Sequence, residues 1–176
     1  MYEGNFPNKG YAHTIAFLKT AIPDIANEHI LDLGVRNPFV DFMEKEGYKV
    51  QNTSGEDLDM DTSVLKTTDY SVVTAFEIFE HLLSPFTVLQ SIQSTKLVAS
   101  IPLRLWFAPA YQSKTDPWDR HYHEFEDWQF DWLLEKTGWE IKKSVKFTNP
   151  VNKLGVRPLL RKFTPRYYLI YAERIN

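Results

Sequence analysis

The sequence predicts a Rossmann-like α/β fold, a three-layer α/β/α sandwich with helices on both faces of a mostly parallel sheet, and three observations predict it. Short apolar runs alternate with segments of helical periodicity. One run, Ile30-Leu31-Asp32-Leu33-Gly34, breaks at a glycine into a helix start. Another, from Tyr70 to Phe76, carries the β-branched residues of a strand covered on both faces and ends at Glu77.

The elements follow in order. Ala12, Ile15, Ala16, Leu18 and Ala21 fall on one stripe of an opening helix, over residues 11 to about 25, ended by Pro23. The strand at 30–35 comes next. Asn37 is a good N-cap and Pro38 a good first helical residue, and the helix they start stops at Gly47. A second short strand covers 48–53, followed by an acidic stretch containing Glu56, Asp57, Asp59 and Asp61, which reads mainly as a solvated loop. After the strand at 70–76, a helix from about Pro85 to Gln93 leads to an apolar strand at 96–101, closed by Pro102. A connection rich in Trp, Pro and Tyr precedes an amphipathic helix over 126–136 that ends at Gly138. Strands at 139–147 and 167–172 complete the chain. Residues 153–166 hold Lys153, Arg157, Arg161, Lys162 and Arg166 with no Asp or Glu and read as a solvated basic loop, with an anion-holding role as the minority alternative.

At 176 residues the length fits a single domain over 1–176, large enough for a core without disulfides. The net charge of −3 makes no electrostatic case for nucleic acid. With no cysteine, a thiolate nucleophile and a cysteine zinc site are both excluded, and a cytoplasmic location is expected. No stretch approaches the ~20 apolar residues that span a bilayer, so membrane insertion is not expected. A small-molecule partner and a monomer or homodimer are the corresponding expectations.

Three ordered blocks resemble the class I S-adenosylmethionine-dependent methyltransferases, particularly the small bacterial branch similar to ubiquinone-biosynthesis methyltransferases. The first is Ile30-Leu31-Asp32-Leu33-Gly34; the second runs from Tyr70 through Glu77-Ile78-Phe79-Glu80-His81-Leu82. The third joins Ser100-Ile101-Pro102, His121 four residues before Phe125, and Thr137-Gly138-Trp139. The resemblance implies seven strands, the last inserted antiparallel, and S-adenosylmethionine as cofactor. It also implies methyl transfer to an oxygen or nitrogen of a small acceptor. Where the family continues its first glycine with Cys-Gly-x-Gly, this chain has Val35, Arg36, Asn37 and Pro38, so the glycine motif is degenerate. A non-catalytic domain that has lost the cofactor is therefore the first alternative.

On this resemblance the cofactor would touch Asp32, Gly34, Arg36, Ser54, Glu56, Asp57, Phe76 and Glu77, with Arg36 near its carboxylate. His81 and His121 are the candidate general bases, since imidazole titrates near neutrality. Trp106, Tyr111 and Trp118 would line the acceptor pocket. The spacing of Asp119, His121 and His123 also permits a metal-dependent enzyme using His121 and His123 as the less favoured alternative; no metal is expected in the preferred reading.

Overall fold

The computed structural model describes residues 8–116, 119–148 and 155–175. Its elements are α1 (Asn8–Ala21), β1 (His29–Asp32), α2 (Pro38–Lys45), β2 (Lys49–Asn52), β3 (Val72–Phe76), α3 (Pro85–Ser91), β4 (Lys96–Pro102), α4 (Asp127–Lys136), β5 (Trp139–Phe147), α5 (Val156–Phe163) and β6 (Tyr167–Arg174). One sheet has the order β2-β1-β3-β4-β6-β5. β1, β2, β3 and β4 are mutually parallel, and β6 runs antiparallel to both β4 and β5.

Among the described residues the sheet has six strands, not the seven that the family resemblance implies. Between β2 and β3 the chain turns repeatedly instead of extending. Asp57 and Asp61 each accept, through a carboxylate oxygen, the backbone N–H two residues on, from Asp59 at 3.1 Å and Ser63 at 2.8 Å. Such side-chain turns compete with a sheet ladder, and β2 is left as the edge.

Alternate strand residues build two cores, one on each face. Ile30, Val72, Val98 and Leu169 pack with Leu18, Phe39 and Met43 from α1 and α2. Leu31, Val73, Leu97 and Ile170 pack with Val88, Leu89, Phe130 and Leu134 from α3 and α4. Each fully buried large side chain contributes roughly 1.5–3 kcal/mol. Trp139 seals the second core, its indole N–H donating to the Leu89 carbonyl at 3.2 Å and its ring lying 4.1 Å from the Arg174 guanidinium carbon.

The start of α2 forms as its sequence predicts: the Asn37 side chain accepts the N–H groups of Phe39 (2.9 Å) and Val40 (3.3 Å), with Pro38 leading the helix. Gly47, at φ 90°, ends it in a conformation that L side chains rarely adopt. The basic segment departs from its expected loop, because 156–163 forms α5. Pro158 falls in the first turn, where a missing N–H breaks no intrahelical bond, and Leu, Arg and Lys are good helix formers.

Candidate functional site

Parallel pairing brings the carboxyl ends of β1, β2, β3 and β4 to one edge, the side of an open α/β sheet where ligands bind. Asp32 ends β1 there, only 2% exposed. Its carboxylate accepts the Thr74 hydroxyl at 2.6 Å and the Asn52 amide at 3.0 Å. Burial nonetheless pushes its carboxyl up to about 7, because those two hydrogen bonds offset only part of the desolvation. Gly34 follows at φ 104°, a turn that favours glycine, and a Cβ there would lie 3.3 Å from Ile78 Cδ1. Its N–H donates to the Thr53 hydroxyl at 2.8 Å and its carbonyl accepts Asn52 Nδ2 at 3.3 Å.

The neighbouring candidates are engaged within the fold. Arg36 is exposed and forked between Asp41 and Glu44 of α2, at 2.6 and 2.5 Å. Glu56 accepts the Ser54 N–H at 2.8 Å, and Asp57 accepts that of Asp59. Asp59 itself latches the start of α3, accepting the N–H groups of Leu83 and Ser84, each at 2.8 Å. Gly55 approaches so closely that a Cβ would meet Val35 Cγ1 at 2.9 Å. Phe76 turns toward α2, edge-on to Phe39 at 5.2 Å.

A different environment follows β3. Glu77 holds a left-handed backbone (φ 56°), the sole non-glycine among the described residues to do so. Strain of this kind costs about 1–3 kcal/mol and concentrates at functional sites. Its carboxylate accepts the Ser100 hydroxyl at 2.7 Å, and desolvation pushes it up to about 7. Glu80 lies in the turn Phe79–His81, buried, with one carboxylate oxygen lacking any hydrogen-bond partner. Burial, reinforced by Glu77, raises its carboxyl well above the usual range. Its other oxygen is 3.7 Å from His81 Nε2.

The long connection docks on this turn through its backbone. The N–H groups of Tyr122 (2.8 Å) and His123 (3.2 Å) donate to the Glu80 carbonyl, and His81 Nδ1 is 3.0 Å from the Arg120 carbonyl oxygen. His121 is thereby set edge-on to His81, ring centroids 4.8 Å apart, and against Tyr111 at 4.5 Å. Burial and the neighbouring His81 lower the His121 pKa, which keeps the imidazole neutral and able to accept a proton. Glu80, His81 and His121 each offer a ligand atom within 4.8 Å of the others, a set that could hold a divalent cation. The pairing of His121 with His123 is not the one that forms. His123 stacks on Phe125 and directs Nε2 toward the Leu83 carbonyl at 3.4 Å, because the bend at Tyr122 breaks the extended geometry that would put alternate residues on one face.

A cavity of about 370 Å³ opens beside this cluster, lined in part by Leu103, Leu105, Tyr111, His121, Arg161 and Arg166. Tyr111 lines this cavity beside His121, whereas Trp106 is 74% exposed and packs on Phe107 outside the lining. Trp118 lies outside the described residues. Arg161 and Arg166, which the sequence reads mainly as part of a solvated loop and only as a minority alternative as anion-holding, line the cavity; the absence of acidic residues from 153 to 166 was the signal.

No family model and no curated sequence matches the chain. Solved structures do. A SAM-dependent methyltransferase from Archaeoglobus fulgidus is 16% identical, the match covering 93% of this chain and 94% of that one at a TM-score of 0.60. Magnesium protoporphyrin IX methyltransferase from Synechocystis PCC 6803, crystallised with SAH, is 10% identical over 98% of this chain and 90% of its own, with a TM-score of 0.59. The 1,6-didemethyltoxoflavin-N1-methyltransferase from Burkholderia thailandensis, with 1,6-didemethyltoxoflavin and S-adenosylhomocysteine bound, is 12% identical over 100% and 94% of the two chains, TM-score 0.54. At such identities the likeness establishes the fold, and this chain has that of the class I S-adenosylmethionine-dependent methyltransferases.

Proposed function

We propose that this chain is an S-adenosylmethionine-dependent methyltransferase acting on an oxygen or nitrogen of a small-molecule acceptor. The observation that carries the reading is the placement of His81 and His121 beside a ligand-sized cavity at the carboxyl edge of a methyltransferase-fold sheet. The cofactor-side residues would be Asp32, Gly34, the Ser54 to Asp57 loop and Glu77, and the positive φ of Gly34 supports a close backbone approach there. When bound, the cofactor supplies a methyl group already activated by positive sulfur.

The protein's own work is alignment and proton removal. His121 would take the O–H or N–H proton of the acceptor atom that receives the methyl group, leaving that atom neutral in the product. Tyr111 packs against the His121 ring and helps fix its position. Calorimetric titration of the full chain with S-adenosylhomocysteine tests the reading. At 100 times the dissociation constant, binding stabilises a protein by roughly 2.7 kcal/mol. A chain that neither binds nor is stabilised is instead the non-catalytic relative, a reading favoured by the internal engagement of Arg36 and the Gly34 turn.

A second reading rests on the unpartnered Glu80 oxygen: a divalent cation held by Glu80, His81 and His121 orients the acceptor oxygen. The Arg120 carbonyl beside His81 Nδ1 leaves Nε2 facing the cluster, as a ligating histidine requires. Activity that survives exhaustive chelation excludes it.

A further inference from the structure

Arg157, Arg161 and Arg166 line one cavity, and among the described residues no ion pair joins any of them to a carboxylate. The Nε atoms of Arg161 and Arg166 are buried without a hydrogen-bond partner. Guanidinium groups are normally buried only when their donors are matched, and side-on Nε with Nη is the pair of donors that grips an oxyanion bidentately. Glu124 is the one carboxylate in the lining among the described residues, and it already accepts the Tyr111 N–H. Burial and the charges of Arg166 and Arg157 depress the Arg161 pKa, the mark of cations crowded without an anion.

The orientation of α5 points the same way. Val156, Leu159 and Phe163 are 75%, 57% and 77% exposed, while the Arg161 Nε is buried in the protein. A helix placed by apolar burial alone would turn the other way. On the cavity's other walls, Leu103 and Leu105 are apolar and Tyr111 carries a ring. The volume, about 370 Å³, suits a ring bearing one charged substituent.

We infer that this cavity binds the acceptor of the proposed methyl transfer through an anionic group, a phosphate or carboxylate, gripped by Arg161 and Arg166 with Arg157 beside them. The word acceptor rests on the methyltransferase reading; the anion site does not. His121 lines the same cavity, so the anion anchors the acceptor while its nucleophile faces the imidazole.

The test is calorimetric titration of the full chain, at low salt, with phenyl phosphate, benzoate and phenol. Saturable binding of phenyl phosphate or benzoate, with phenol at least tenfold weaker, is expected, and the stronger anion identifies the group. Arg161→Met/Arg166→Met should weaken anion binding at least tenfold. If that variant fails to fold, Arg161→Lys, which keeps the charge but loses the fork, serves in its place, with at least a threefold loss expected. S-adenosylhomocysteine is titrated in parallel. A chain that binds it but no anion overturns this inference alone; one that binds the anion but not S-adenosylhomocysteine upholds the site and overturns the methyltransferase reading. Anion affinity unchanged in the folded variants also overturns the inference.

Discussion

The loop after β1 and the turn after β3 lie on the same sheet edge, yet they treat polar groups in opposite ways. Around Gly34 the N–H, the carbonyl and the Asp32 carboxylate all have partners within the fold, and Arg36 is taken up by its own helix. Around Glu77 the backbone is strained, Glu80 keeps an unpartnered oxygen, and the arginines across the cavity keep unpartnered donors. Buried polar groups left unmatched cost about 1–3 kcal/mol each. A closed network is held together by the protein alone, whereas an open one is completed by something bound. In the proposed enzyme, the acceptor chemistry would fall at the second region, with the first as the scaffold on the cofactor side.

The largest effect expected from this contrast is catalytic. In the proposed enzyme, His121→Ala should lower turnover by about 10²–10⁴-fold while leaving S-adenosylhomocysteine affinity unchanged, since a general base acts only on the proton moved in the transition state. Stopped-flow or endpoint methylation with calorimetry in parallel reads both. Equal loss of turnover and affinity would make His121 structural, and the two regions would no longer differ in role.

The closed region should reveal itself through pH. Asp32 has its folded pKa raised from the usual carboxylate range to about 7, so the neutral form is the one the fold favours. Its stabilising contribution is complete below the unfolded value and is lost as pH rises through about 7, with a slope approaching about 1.4 kcal/mol per unit between. Glu77, raised to about 7 by desolvation, acts in the same direction. Urea unfolding of wild type and Asp32→Asn at pH 5, 6 and 7 should show a shallower decline in the variant. Parallel curves would mean that Asp32 keeps its charge in the folded state.

Next in size is Gly34→Val. The φ of 104° and the contact with Ile78 predict a loss of about 1–3 kcal/mol in stability together with abolished S-adenosylhomocysteine binding. Unchanged affinity in a folded Gly34→Val protein would remove this turn from the cofactor site. The smallest effect belongs to Arg36→Ala: an exposed ion pair on a helix surface is close to neutral for stability. Its thermal midpoint should barely move and S-adenosylhomocysteine affinity should hold within about twofold. A tenfold loss would show that the guanidinium leaves Asp41 and Glu44 for the cofactor carboxylate.

Local chemistry made much of the fold legible. Asn37, Pro38 and Gly47 frame α2 because capping and left-handed backbone are properties of single residues. Read residue by residue, the apolar runs mark six strands, and six are formed among the described residues; the seventh came from family likeness and is not among them. The reversal of β6 between β4 and β5 agrees with the resemblance, though nothing in its apolar run signals direction.

The sequence by itself therefore determined the alternation of strands and helices, the two-faced core and the glycine turn after β1, all of which depend on periodicity and local conformation. Only the tertiary structure decided that His121 meets His81 and Glu80 instead of His123, that Trp106 faces solvent, and that Arg161 and Arg166 line one cavity with Tyr111. These outcomes depend on backbone hydrogen bonds from Tyr122 and His123 to the Glu80 carbonyl, and on the rotation of α5. Such contacts join residues some 40 or more positions apart, whose encounter is set by packing of the whole chain and leaves no trace in local composition.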